Sequence, residues 1–271
     1  ELDHIIKFFI SHCLKLLNFD DPIKEYASLL LLEALINSNP TYFINEIVHI
    51  TKVIFENFEE SSILVQGQTY VVLSCFSQVD AQYFLEFISE EIFEMTENLI
   101  NEFPEQISKS LCLMCKTVPQ FIEERLDQYI NFAKLIFDDE TDSSFRLLSS
   151  AIDAFGGEKI LPSLMSFDFT SKPYDQCYVN FIVKLYKNCQ LQFVHHSHLI
   201  KKNQINKNSN EDNDNEVDES TTKTPTSLHD CFTIIHKKFS QKLIEELKTN
   251  KVYSIQLISK VPRKSLHSTK Q

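Results

Sequence analysis

Four breaks recur along the chain at nearly even intervals: Asn39-Pro40, Val79-Asp80, Val118-Pro119 and Gly156-Gly157. From Pro40 to Asp80 is 40 residues, from Asp80 to Pro119 is 39, and from Pro119 to Gly157 is 38. Proline at a first helical position has its φ already set and gives up no hydrogen bond. Asp80 suits an N-cap, where a carboxylate accepts from orphan backbone amides. An apolar pair follows each break: Tyr42-Phe43, Tyr83-Phe84, Phe121-Ile122, and then Ile160-Leu161.

The segments after the breaks carry helical stripes. Phe43, Ile47, Ile50 and Ile54 recur at steps of four, three and four, which is one face of a helix. Phe84, Ile88, Ile92, Met95 and Leu99 form a second stripe, and Ile122, Leu126, Ile130, Ala133 and Phe137 a third. Another amphipathic segment precedes each, at 23–37, 62–77 and 105–117. A period near 40 built from two helices is the mark of HEAT-like repeats, whose pairs must stack to bury both faces. The expected fold class is therefore all-α, an α-solenoid of HEAT-like helix pairs over 1–200. Residues 2–18 read as the second helix of an earlier repeat, and Asp20-Asp21-Pro22 as the start of the next.

Composition agrees. There are 3 glycines, too few for a turn-dense β fold or for phosphate-cradling loops. No apolar run approaches the roughly 20 residues needed to span a bilayer. The chain begins at Glu1, so it is expected to be a piece of a longer protein.

Past residue 190 the pattern decays. Residues 201–226 read as a disordered acidic and polar linker, since 206–226 holds one apolar residue and cannot offset its ordering entropy. A terminal helix is expected over 227–250, with Phe232, Ile235, Phe239, Leu243 and Leu247 on one stripe. Residues 251–271 read as a flexible basic tail.

The net charge of −12 is unevenly spread. Residues 226–271 hold nine Lys/Arg against three Asp/Glu, a net +6, and 201–225 hold four against six, a net −2. That leaves −16 on residues 1–200. An acidic body repels phosphate backbones and favours basic protein partners, so only the C-terminal part suits RNA contact.

Candidate chemistry is sparse. Cys112 and Cys115 form a Cys-x-x-Cys, which could be a metal knuckle, a redox pair or two small buried residues. A structural zinc site needs four ligands, and no second cysteine pair exists, although His195, His196 and His198 could complete one. Leu111 and Met114 share the segment, which favours buried core cysteines. Seven cysteines without a repeating spacing suit a reducing compartment. Glu90-Glu91 and Glu123-Glu124 fall opposite the apolar stripes and read as solvated faces. Ser209, ahead of Glu211 and Asp212, fits an acidic-directed phosphorylation site. No Gly-rich loop, nucleophile elbow or His-Glu-x-x-His occurs, so no catalytic, cofactor or metal residue is assigned and no enzyme is expected.

Three stretches carry a resemblance: "SLCLMCKTVPQFIEERLDQYI" (110–130), "RLLSSAIDAFGGEKILPSLMSF" (146–167) and "VNFIVKLYKNCQLQFVHHSHLIKKNQ" (179–204). Their order resembles the C-terminal part of the large HEAT-repeat scaffold of the small-subunit processome, a nucleolar snoRNP-associated family. The Gly-Glu-Lys and Leu-Pro of 157–162 are also similar to a second HEAT scaffold of pre-small-subunit particles. Val-Pro-x-Phe-Ile and Ile-Leu-Pro-x-Leu recur across HEAT proteins, nuclear transport receptors included. The resemblance implies a scaffold that organises pre-rRNA processing by binding other proteins, in the nucleus and nucleolus. The alternative it leaves open is a karyopherin-type receptor, also found in cytoplasm, that holds basic cargo.

Overall fold

The computed structural model describes residues 2–17, 21–58, 60–172, 175–189 and 228–249. The regular elements among them are all helical. They are α1 (Leu2–Leu17), α2 (Pro22–Ser38), α3 (Ile47–Phe58), α4 (Ile63–Cys75), α5 (Ala81–Phe87), α6 (Ser89–Leu99) and α7 (Pro104–Thr117). Then come α8 (Pro119–Glu124), α9 (Leu126–Leu135), α10 (Thr141–Phe155), α11 (Gly157–Leu164), α12 (176–189) and α13 (Leu228–Thr249). Short 3-10 turns lie at Pro40–Phe43, Phe76–Gln78 and Phe169–Ser171. The fold is all-α across the described residues. The histidines at 195–198, the linker 201–226 with Ser209, and the tail 251–271 lie outside them.

All four breaks are real, and each has its own chemistry. α2 stops at Ser38 ahead of Pro40, and α7 stops at Thr117 with Pro119 opening α8. Asp80 caps α5, its carboxylate accepting from the Tyr83 amide at 3.0 Å. Asp21 does the same for α2, accepting from Ile23 and Lys24. Such caps are each worth about 1 kcal/mol. α10 ends at Gly156, whose φ of 85° is the left-handed conformation that glycine adopts without strain.

The second helix of each pair departs from expectation in one respect. The stripes are buried as read, with Leu126 half-buried, but the backbone is not continuous beneath them. Helix is interrupted at 44–46, at Ile88 and at Arg125. In each place the interruption follows within four residues of Phe43, Phe84 or Phe121, all buried. A 3.6-residue pattern survives a local bend, because the apolar face on either side still points inward.

The chain divides into two compact units, Glu1–Ser150 and Ala151–Gln271. In the first, alternate helices pack on one another: α2 on α4, α4 on α7, and α1 on both α2 and α3. Burying an Ile, Leu or Phe side chain contributes about 1.5–3 kcal/mol. Ile36, Phe43, Ile50, Val72, Phe76, Phe84 and Ile92 are each fully buried here. Gly67, inside α4, is needed for close approach: a Cβ there would stand 2.7 Å from the Phe103 ring.

In the second unit α13 packs on α11 and on the Phe169–Ser171 turn. Aromatic rings fill that junction. Phe169 lies 5.6 Å from Phe167, 5.7 Å from Phe181 and 5.3 Å from Phe239, centroid to centroid. Tyr178 meets Phe239 edge-on at 5.9 Å. Of the stripe expected on the terminal helix, Ile235 and Phe239 are buried. Gly157 touches α12, where an added Cβ would sit 2.5 Å from the Cys189 sulfur.

Candidate functional site

Cys112 and Cys115 sit on the face of α7 that meets α10. The Cys112 Sγ lies 3.6 Å from the Arg146 carbonyl and 3.9 Å from the Tyr129 hydroxyl. Cys115 Sγ lies 3.8 Å from the Ser150 carbonyl. Both are buried, at 9% and 1% exposure. Burial pushes the Cys112 thiol up, against smaller opposing effects from its neighbours, so the protonated form is the one present at neutral pH. Burial also holds the Tyr129 hydroxyl well above its ordinary range. A thiol in that state is a poor nucleophile and a poor metal ligand. The pair acts as two small groups that let α7 and α10 approach. Among the described residues no three His, Cys, Asp or Glu side chains gather in a way that could hold a metal ion.

Polar contacts between helices reveal something the stripes did not. Gln78 and Cys75 both donate to Asn37 Oδ1, at 2.7 and 3.6 Å. Thr117 and Ser77 share a hydrogen bond of 2.7 Å. Asn37, Ser77 and Thr117 are forty residues apart in succession, at the C-terminal ends of α2, the α4 segment and α7. Through these bonds α2 is joined to the end of the α4 segment, and that segment to α7. The signal was available in part: a polar residue stands at this register in three successive periods, and Gly157 ends the series. A hydrophobicity template passes over it, because it scores apolar positions only.

The solvent sides of α6 and α8 are acidic. Glu90, Glu91, Glu94 and Glu97 of α6 are exposed, as are Glu123, Glu124 and Asp127 of α8 and α9. Glu90 does not stand alone there. It pairs with the half-buried Arg125, whose guanidinium lies 4.1 Å over the Phe121 ring. Phe121 in turn meets Phe93 edge-on at 5.6 Å. Arg125 thus ties α6 to α8, and it also pairs with Glu124 at 3.6 Å. Beside them Phe87 is 54% exposed, with Tyr83 4.9 Å away between ring centroids. An aromatic pair among carboxylates can give both an apolar anchor and charge attraction to a basic surface.

No helix among the described residues is long and apolar enough to cross a membrane. Comparison with family models, curated proteins and solved structures returns no match. What fold and surface define is a class, an all-α protein with exposed carboxylates on α6 and α8.

Proposed function

We propose that this chain is a non-catalytic scaffold whose HEAT-like helix pairs bind other proteins through basic surfaces. The observation that carries the reading is the row of exposed carboxylates on α6, α8 and α9, outside an apolar core and beside Phe87. The polar seam at a forty-residue register supports successive, equivalent pairs. The sequence resemblance sets the setting: pre-rRNA processing in the small-subunit processome, in the nucleolus. RNA contact, if made, belongs to the basic C-terminal segment and not to the acidic helices.

A karyopherin-like receptor for basic cargo uses the same acidic surface and is the second reading. Binding to the small GTPase of nuclear transport distinguishes it. Co-sedimentation with precursor rRNA particles supports the scaffold. For either, the interface is steered by charges screened over about 8–10 Å at physiological salt. Affinity for a basic partner should fall steeply from about 50 to about 500 mM salt. A flat response over that range would remove the electrostatic reading.

A further inference from the structure

We propose that the stripe formed by Tyr83 and Phe87 of α5 and Glu91 of α6 seats an arginine side chain of a basic partner segment, its guanidinium stacked on the Phe87 ring within reach of Glu86 and Glu91. The inference rests on the reading of the acidic face as a surface for basic proteins, and it names the residue that surface selects. Phe87 is 54% exposed, and its ring centroid lies 4.9 Å from that of the half-buried Tyr83. Glu86, Glu91 and Glu94 are exposed, and none of them pairs with a cation among the described residues.

The stripe follows from the backbone. Residues three and four apart are neighbours on a helix surface. The interruption at Ile88 keeps that register, because the Ile88 amide still donates to the Phe84 carbonyl and the Ile92 amide to the Ile88 carbonyl, both at 3.0 Å. Tyr83, Phe87 and Glu91 therefore line one row, with Glu86, Glu90 and Glu94 beside it. The chain already builds ring, guanidinium and carboxylate into one contact: Arg125 lies 4.1 Å over the Phe121 ring and pairs with Glu90. Arg125 stands seven residues past Val118, and Phe87 stands seven past Asp80. At the earlier position a second ring replaces the cation, so rings and carboxylates are in place for a guanidinium from outside.

Charge and ring together select the occupant. An arginine guanidinium is planar and weakly hydrated, so it stacks on a ring face while its edges donate to carboxylates. A lysine ammonium is a compact, strongly hydrated charge that gains less from the ring. An apolar helix docked here would take Glu86 and Glu91 out of water without giving them partners. Nucleic acid would bring phosphates against the same carboxylates. Arg125 does not stand in the way of a second cation, since Glu90 and Glu124 already pair with it.

Fluorescence anisotropy on the full chain tests this with two labelled nine-residue peptides of equal charge, one lysine-containing frame with a central Arg and the same frame with a central Lys. Both should bind saturably, the Arg peptide about two- to fivefold more tightly. Phe87→Ala and Phe87→Leu should each bring the Arg peptide down to the affinity of the Lys peptide, since Leu keeps apolar area but offers no ring face. Phe87→Tyr should keep the preference. Glu86→Gln with Glu91→Gln should weaken both peptides by at least about threefold. Phe8→Ala, which removes an exposed ring on α1, should leave the preference in place. Circular dichroism verifies that each exposed-site variant remains folded. Equal binding of the two peptides to the unaltered chain would overturn the arginine seat and leave the basic-surface reading standing, whereas failure of both to saturate would remove both. A preference that survives Phe87→Ala and Phe87→Leu would overturn the seat as well. So would a dimer in sedimentation that Phe87→Ala abolishes, because the occupant would then be a second copy of the chain.

Discussion

In residues 1–150 several side-chain contacts between helices reach across 34 to 41 positions of sequence, as in Cys112 to Arg146 and Gln78 to Asn37. In residues 151–271 the contacts that hold α13 reach across 50 and 71, from Tyr186 to His236 and from Phe167 to Lys238. In the first region contacts of similar reach follow one another, α2 meeting α4 and α4 meeting α7. The second closes on a single aromatic cluster that a distant helix must return to complete. Loop-closure entropy makes the longer reach costlier to form, and contact order makes it slower. The lesson is that successive contacts of similar reach distribute stability over many small seams, whereas a returning helix concentrates it in a few rings.

The largest break in this comparison should come from Phe239→Ala. It removes the ring that touches Phe169 and Tyr178, and should cost about 3–5 kcal/mol. Hydrogen exchange should show α11–α13 losing protection while α2, α4 and α7 keep theirs. Equal loss in both regions would show that the two solutions are not separable.

Gly67→Ala tests the first region in the same way. The added methyl meets the Phe103 ring, and overpacking of this kind costs about 1–3 kcal/mol. Phe103→Leu in the same chain should recover part of the loss, and a double-mutant cycle in urea measures the coupling. Strictly additive effects would mean that the two groups do not touch.

Cys112→Ala with Cys115→Ala should lower stability by about 1–2 kcal/mol, since each removed sulfur leaves a small void between α7 and α10. Stoichiometric zinc in the purified protein, lost in this variant, would reverse the assignment of the pair.

The smallest effect is pH-dependent and belongs to the second region. Burial lowers the pKa of His236 below its ordinary 6.5, so the folded state resists the proton that the unfolded chain accepts. Its contribution is full above pH 6.5 and is lost as pH falls from there toward the lower folded value. The Tyr186 hydroxyl is hydrogen-bonded to His236 Nδ1. Exchange protection of α13 should therefore fall in mild acid, and His236→Gln should flatten that response. An α13 equally protected from pH 7 to pH 5 would exclude it.

Much of the helix inventory was legible because its signals are local. A proline or a capping Asp acts on the next few amides, and a 3.6-residue stripe needs no knowledge of its partner. The breaks at Pro40, Asp80, Pro119 and Gly157, and the burial of Ile50, Ile92 and Ile130, follow from that alone. The acidic solvent face was legible too, because charged residues opposite a buried stripe must meet water. What those signals could not convey is which elements touch. The bends at Ile88 and Arg125, the pairing of Glu90 with Arg125 and the seam from Asn37 to Thr117 all depend on neighbours far along the chain. Sequence by itself determined the helices, their inward faces and their charge. Tertiary structure decided that Cys112 and Cys115 meet the backbone of α10 and that Phe239 fills an aromatic cluster, because each is a contact between elements, set by packing geometry and not by local propensity.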